Sequence, residues 1–273
     1  MRRRLEATVI HAVLTAAATL TLLPLLWMVS ASLMPAGEAS TLPLRLWPSA
    51  PTLEHYRALF ARLDVGRHVA ISAGVAAATT VIALACNTLA GYAFAKLPFP
   101  GRERTFRLLL GALVIPGQVA MLPLFLLMRA LGWIDTWLAV IVPGMASVFG
   151  IFLVRQYARG LPDGILDAAR VDGAGELRVF RSVALPLMTP ILVTLALVTF
   201  MGSWNDFLWP LIVLADDRRY TLPVALANLV GEHVQDTELV MAGAVLTVLP
   251  VVLLFLVLQR WYVAGIASGG VKE

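Results

Sequence analysis

Six apolar runs, each about 20 residues or longer, leave this chain of 273 residues few folds to choose from. They cover roughly residues 8–31, 68–95, 105–129, 137–158, 186–206 and 239–262. At a rise of about 1.5 Å per residue, each can cross a hydrocarbon core of roughly 30 Å. Backbone N–H and C=O groups in lipid must find partners inside the protein, so the runs are expected to be helices. The fold class that follows is all-α: an integral membrane protein with six transmembrane helices. Only 14% of residues are charged, against about a quarter in a soluble domain. Pro24, Pro116, Pro123, Pro143 and Pro250 fall inside the runs. Such breaks are tolerated where neighbouring helices or a cavity satisfy the freed carbonyls. The first run follows Arg2, Arg3 and Arg4 in the manner of a signal peptide, yet it exceeds the usual apolar stretch of roughly 7–15 residues. It is expected to stay as an uncleaved first span.

The cationic residues set the orientation. With the N-terminus inside, the inner segments hold 14 of the 21 Lys and Arg residues and the outer segments 7. Both termini, and the segment Asp167–Pro190, are therefore expected on the cytoplasmic side. Trp27, Trp133, Trp137, Trp204 and Trp209 fall at outer ends of runs, where an interfacial aromatic belt is expected. Two outer segments are long: residues 32–67, with a short helix expected over Leu53–Leu63, and residues 207–238. The chain shows no internal repeat, and its spans do not split into two similar halves. The single cysteine, Cys86, allows no internal disulfide and is expected to pack between helices.

The inner segment Asp167–Pro190 is charged and hinged on glycine. Leu161-Pro162-Asp163 starts a helix, with Asp163 either capping it or placing its charge in the first turn. Ile165, Leu166 and Ala169 follow at helical spacing. Asp172-Gly173 ends that helix, because glycine takes the left-handed conformation that helix ends require. Gly175-Glu176 begins a second short helix with Leu177, Phe180 and Ala184 on one face. Such a foot can dock a cytosolic partner, or it can lie on the headgroups as an ordinary inter-helix connection.

The residues Asp167-Ala168-Ala169, Asp172-Gly173-Ala174, Phe180 and Leu185-Pro186 resemble the "EAA" coupling loop of ATP-binding-cassette importer permeases, with Asp167 where Glu is usual. Phe200–Ile212, Tyr220–Pro223, Met241-Ala242-Gly243, Gln259–Tyr262, Gly265–Glu273 and Leu97–Arg102 resemble the carbohydrate-importer members, closely following the maltose-type inner permease. The resemblance covers nearly all of residues 68–273; the first 65 match in layout only. It implies the type I permease fold, with an N-terminal helix and outer loop over 1–66, a permease core over 67–273 and the coupling loop at 159–186. It implies that Asp167, Ala168, Ala169, Asp172, Gly173 and Ala174 dock an ATPase. The tail residues Gly269, Gly270, Val271 and Lys272 would reach between two ATPase subunits. The implied partners are a second permease subunit, two ATPase subunits and an extracytoplasmic solute-binding protein, in the inner (plasma) membrane. The cargo implied is a sugar or oligosaccharide, with a glycerol phosphate ester or other polyol as the alternative.

The chain itself is expected to be no enzyme and to bind no cofactor, with ATP and Mg used by the partner subunits. It lacks the GxxxxGK[S/T] loop of nucleotide hydrolysis, and His11, His55, His68 and His233 have no metal-ligand spacing. A secondary transporter would call for an acidic intramembrane ion site and repeated halves, neither of which is evident. Polar groups within spans are costly, which singles out Asn87, Gln118, Asn205 and Asp206 for a substrate pathway. Asn87 and Gln118 could equally bond across helices, and Asn205 and Asp206 could equally cap a helix end.

Overall fold

The computed structural model describes residues 2–232 and 236–270, so His233, Val271 and Lys272 lie outside the described residues. Every regular element among the described residues is helical. In chain order the helices are α1 (Arg2–Ala31), α2 (Glu54–Arg62), α3 (Val65–Lys96), α4 (Arg102–Ala112), α5 (Gly117–Ala130), α6 (Trp137–Ile141), α7 (Val148–Arg159), α8 (Asp163–Val171), α9 (Glu176–Val179), α10 (Leu185–Leu187), α11 (Thr189–Trp204), α12 (Leu208–Val213), α13 (Leu222–Glu232) and α14 (Thr237–Gly270).

Four stretches are long and apolar enough to cross a bilayer: Thr8–Ala31, Val65–Lys96, Trp137–Arg159 and Thr237–Val257. Two further spans are broken. Arg102–Ala112 and Gly117–Ala130 meet at 100°, and Glu176–Leu187 and Thr189–Trp204 at 78°. Counting each bent pair once gives the six expected spans. The breaks have local causes. Pro116 supplies no N–H and steers Ile115 away from the helical region, and Pro190, in the first turn of α11, has no N–H to carry the helical ladder back across the break at Met188. Between α9 and α10 the chain widens into a π-helical turn, Phe180–Ala184. Pro186 has no N–H for the carbonyl four residues back and its ring would crowd that carbonyl, so the turn opens.

By compactness the chain divides into two units, Met1–Arg67 with Leu222–Pro250, and His68–Thr221 with Val251–Glu273. In the first, the segment after α1 is built on buried acids rather than left as a solvated loop. Glu238, fully buried, accepts the Ala39 N–H at 2.7 Å. Glu38 accepts the Ser49 N–H at 3.1 Å and the Arg45 guanidinium at 3.0 Å. Burial by itself would raise the Glu38 carboxyl, but the Ser49 and Arg45 hydrogen bonds outweigh it and hold the group below the usual range. His55 bonds the Met34 carbonyl through Nε2 at 2.9 Å, which seats the short helix α2. Ala31, Met34 and Ala39 form the local core, with Trp27 and Met241 against it. By contrast, the apolar side chains of α1 from Val9 to Leu26 are exposed, an unbroken surface for lipid or another subunit.

The second unit holds two cores. Tyr92, Val154, Ala158, Leu161, Leu166, Val179, Ala184, Met188 and Leu195 form one, where α3, α7 and α11 meet the α8–α10 segment. Val75, Met128, Ala139, Val140, Trp209, Val213 and Leu214 form the other. Small residues set the helix spacing. A Cβ on Gly91 of α3 would lie 2.6 Å from Val154 Cβ on α7, and one on Gly150 would lie 2.5 Å from Asn87 Nδ2.

Candidate functional site: the coupling foot and a membrane cleft

The foot begins with α8. Pro162 precedes it, and Asp163 does not cap it with its side chain. The Asp163 carboxylate sits in the first turn and pairs with Lys96 Nζ at 2.6 Å. The hydrogen bond and charge of that ammonium hold its carboxyl below the usual range. The same ammonium donates to the Leu161 carbonyl at 2.7 Å, tying the end of α3 to the start of the foot. Beside it, Arg155 of α7 is 5% exposed. It donates to Phe94 O at 3.2 Å and pairs with Glu103 at 2.5 Å, with its guanidinium 3.8 Å from the centre of the Phe106 ring.

Leu166 enters the core at 1% exposure and Ala169 packs against it. Ile165, expected on the same stripe, is instead 48% exposed. In the second half of the foot Val179 and Ala184 are buried, whereas Leu177 is 73% exposed. Val179, not Leu177, is the residue of α9 that faces the core, so the stripe drawn through Leu177 misassigned it, and the π-helical turn that follows departs from the simple period before Ala184. The foot therefore turns outward an unusual surface for an aqueous segment: Ile165, Ala168, Val171 and Leu177, beside the charged Asp167.

The end of α8 is closed as a Schellman motif. Gly173 takes φ +83°, its N–H donates to Arg170 O at 3.0 Å, and the Ala174 N–H reaches Ala169 O at 3.0 Å. Arg170 bridges the hinge. Its Nη1 donates to Asp167 at 2.6 Å, and its Nε and Nη2 donate to the two Glu176 oxygens at 2.7 and 3.2 Å. Those bonds, to Glu176 first and Asp167 second, raise the guanidinium further above its ordinary value. Sequence reasoning placed Asp167, Ala168, Ala169, Asp172, Gly173 and Ala174 together on α8 and its cap, as found. It missed Arg170 and Lys96 as the ties of that foot, and Arg155 as the tie of α7 to α3 and α4; a cation six residues before an acid across a glycine was the available signal for the first. Gly269 and Gly270 are the last residues of α14, and Val271 and Lys272 lie outside the described residues.

The four polar span residues separate. Asn87 is fully buried and accepts the Ser147 N–H at 2.9 Å, a bond from α3 to the start of α7. Gln118 is exposed near the start of α5. Asn205 is exposed and donates through Nδ2 to Met201 O at 2.9 Å, at the end of α11. Asp206 alone lines a cleft of about 430 Å³, with Thr79, Ser147, Thr199, Ser203 and Trp209 among its walls. Trp204 and Trp209, expected in an interfacial belt, are buried at 1% and 7% exposure. Trp209 donates from Nε1 to Ala139 O at 2.8 Å.

Asp135, with φ +60°, fixes the neighbouring loops. Its carboxylate accepts the N–H groups of Ala215 and Asp216 at 2.9 and 3.0 Å and pairs with Arg219 at 2.8 Å. The Asp216 and Ala215 amides, with Arg219 adding less, hold its carboxyl below the usual range despite partial burial. A carboxyl depressed on folding contributes stability that is fully present above its unfolded pKa of about 3.9 and lost as pH falls through the folded value. Acidification through and below that range should therefore loosen the 213–220 loop. The Ala215 and Asp216 amides should lose hydrogen-exchange protection there, and Asp135→Asn should remove that acid-dependent step. An unchanged acid response in the variant would refute the assignment.

Residues 11–268 match the family described as "Binding-protein-dependent transport system inner membrane component". The arabinooligosaccharides transport system permease protein AraQ of Halalkalibacterium halodurans is 39% identical over 256 residues, covering 91% of this chain and 90% of that protein. The trehalose transport system permease protein SugB of Mycobacterium tuberculosis is 38% identical over 260 residues, 92% of each chain. The lactose transport system permease protein LacG of Rhizobium radiobacter is 33% identical over 272 residues, covering 100% of this chain and 98% of that protein. Among solved structures, a bacterial ABC transporter involved in the import of the acidic polysaccharide alginate superimposes with a TM-score of 0.82 at 23% identity, covering 95% of this chain and 97% of that one, a likeness of fold. With the family match spanning nearly the whole chain, and relatives this similar along their full lengths, the chain belongs to the inner membrane components of binding-protein-dependent transport systems.

Proposed function

We propose that this chain is one of two permease subunits in an ATP-driven importer of sugars or oligosaccharides. The outward face of the foot carries the proposal: small and apolar side chains at Ala168, Val171 and Leu177, presented by a glycine-closed helix whose other face is buried against three spans. A lipid-resting loop needs no such rigid mounting, whereas a motor pulling on spans does. Asp167, Ala168, Ala169, Asp172, Gly173 and Ala174 dock the ATPase. The tail Gly269, Gly270, Val271 and Lys272 reaches between the ATPase subunits, with both termini cytoplasmic. ATP and Mg are bound by those partners. The second permease subunit completes the pathway against residues 67–273, and a solute-binding protein delivers cargo from outside. ATP-driven closure of the motors draws the two feet together and rocks the spans from inward-open to outward-open. The cargo class follows the named relatives, which transport arabinooligosaccharides, trehalose and lactose.

The test is co-purification from detergent-solubilised membranes. The wild-type chain should bring down a soluble ATPase encoded beside it. Ala169→Asp, which places a charge where Ala169 packs on the core, should lose it while still inserting. A chain that purifies alone in both forms would refute the importer role.

A further inference from the structure

We infer that the cleft at Asp206 is a cargo subsite contained within this one chain, built for an uncharged polyhydroxyl compound and closed to anionic sugars. The inference rests on the importer reading above and adds a selectivity to it. The cleft holds about 430 Å³, within the roughly 300–1,000 Å³ of small-molecule sites. Its walls come from five helices and the turn before α7: Thr79 of α3, Val140 of α6, Ser147 of the turn, Phe149 of α7, Thr199 and Ser203 of α11, and Trp209 of α12.

Two observations point to a ligand. First, Thr79 is 4% exposed, yet its Oγ1 has no hydrogen-bond partner among the described residues. Its methyl is pinned where a Cβ on Gly144 would come within 2.7 Å, so the side chain is held at the cleft wall. A buried hydroxyl left unpaired is costly unless something that enters the cleft pairs with it. Second, among the described residues the only charged one that lines the cleft is a carboxylate. Asp206 is fixed by the backbone N–H groups of Trp209 and Phe207, which leaves lone pairs of its two oxygens for hydroxyl donors. Among the described residues no Lys or Arg lines the cleft. A sugar unit offers several O–H donors to a carboxylate and to threonine and serine oxygens, and an apolar ring face to Trp209 and Phe149. A uronate or phosphate ester would bring a second negative charge beside Asp206 in a poorly screened site, where like charges repel strongly.

The experiment measures equilibrium binding to the complete transporter in nanodiscs, without the binding protein, so that delivery does not filter the cargo. The probes are labelled neutral trisaccharides of glucose, galactose and arabinose, and trigalacturonate as the anionic comparison. In the wild type, the best neutral trisaccharide should bind about tenfold or more tighter than trigalacturonate, the scale of one uncompensated charge contact. Asp206→Asn should close that gap to about threefold or less, since the amide keeps the shape and loses the charge. Thr79→Val, which preserves volume and removes the hydroxyl, should weaken the best neutral ligand by about threefold or more, as loss of one hydrogen bond does. The assignment is overturned if trigalacturonate binds the wild type as tightly as the best neutral trisaccharide, or if Asp206→Asn leaves the ratio unchanged. The importer reading fails separately, when the purified assembly holds no ATPase; an assembly that holds its ATPase but shows no charge preference overturns the subsite alone.

Discussion

Gly173→Pro should reduce cargo uptake to background while the chain still inserts and accumulates in the membrane. Gly173 sits at φ +83°, a conformation that a proline ring, fixed near −65°, cannot adopt. Its N–H also donates to Arg170 O, a bond that proline cannot make. Both closures of α8 are then lost, because the Ala174 bond to Ala169 O depends on the same left-handed residue. Nothing lies within 4 Å of the place where a Cβ would stand, so the damage is conformational and not a clash. Gly173→Ala is the graded control. It keeps the N–H and costs about 1–2 kcal/mol for the left-handed backbone, so partial uptake is expected. Arg170 should soften that loss by holding Asp167 and Glu176 across the hinge. Uptake measured in membrane vesicles, normalised to the amount of inserted chain, decides it; normal uptake by the proline variant would refute a rigid foot.

The second large effect is on stability. Gly91→Leu should separate α3 from α7. The new side chain would start at a Cβ only 2.6 Å from Val154 Cβ and 3.0 Å from the Arg155 amide nitrogen. The last of these is backbone, which cannot swing away. The two helices must then part, which stretches the Arg155 bond to Phe94 O and the Asn87 bond to the Ser147 N–H. Overpacking of this kind typically costs about 1–3 kcal/mol, and loss of paired buried polar groups adds to it. A thermal melt of the detergent-solubilised protein should show a clear fall in midpoint. Gly164→Leu, at an exposed position with open space for a side chain, should leave the midpoint nearly unchanged. Equal midpoints for wild type and Gly91→Leu would show that the helices do not need this close approach.

Much of the architecture was legible because a bilayer removes alternatives. Apolar length alone marks spans, and each of the six runs corresponds to a long helix or a bent pair. The bends escaped that reasoning, since hydropathy is blind to direction and a proline inside a run either kinks a helix or passes unnoticed, depending on what packs beside it. The foot was legible from Asp172-Gly173 and its flanking small residues, because a helix end imposes strict local chemistry. The phase of its second half was not. Val179 meets the core while Leu177 stays outside, a choice set by packing against the spans, and the π-helical turn Phe180–Ala184 that follows departs from the simple helical period.

The polar span residues divide along the same line. Composition could single out Asn87, Gln118, Asn205 and Asp206, because each is costly in lipid. It could not tell which of them pair with backbone, since Ser147 lies 60 residues from Asn87 and Trp209 lies 70 from Ala139. Nor could it find Asp135, whose partners stand some 80 residues away. By itself the sequence determined what short-range chemistry and the solvent dictate: helices, spans, cationic asymmetry and a glycine-closed foot. Only the tertiary structure decided which small residues let helices touch, which cations tie the foot to the spans, and that Asp206 faces a cleft while its neighbour Asn205 caps a helix. Those outcomes depend on contacts between residues far apart in the chain, and no local period or propensity carries them.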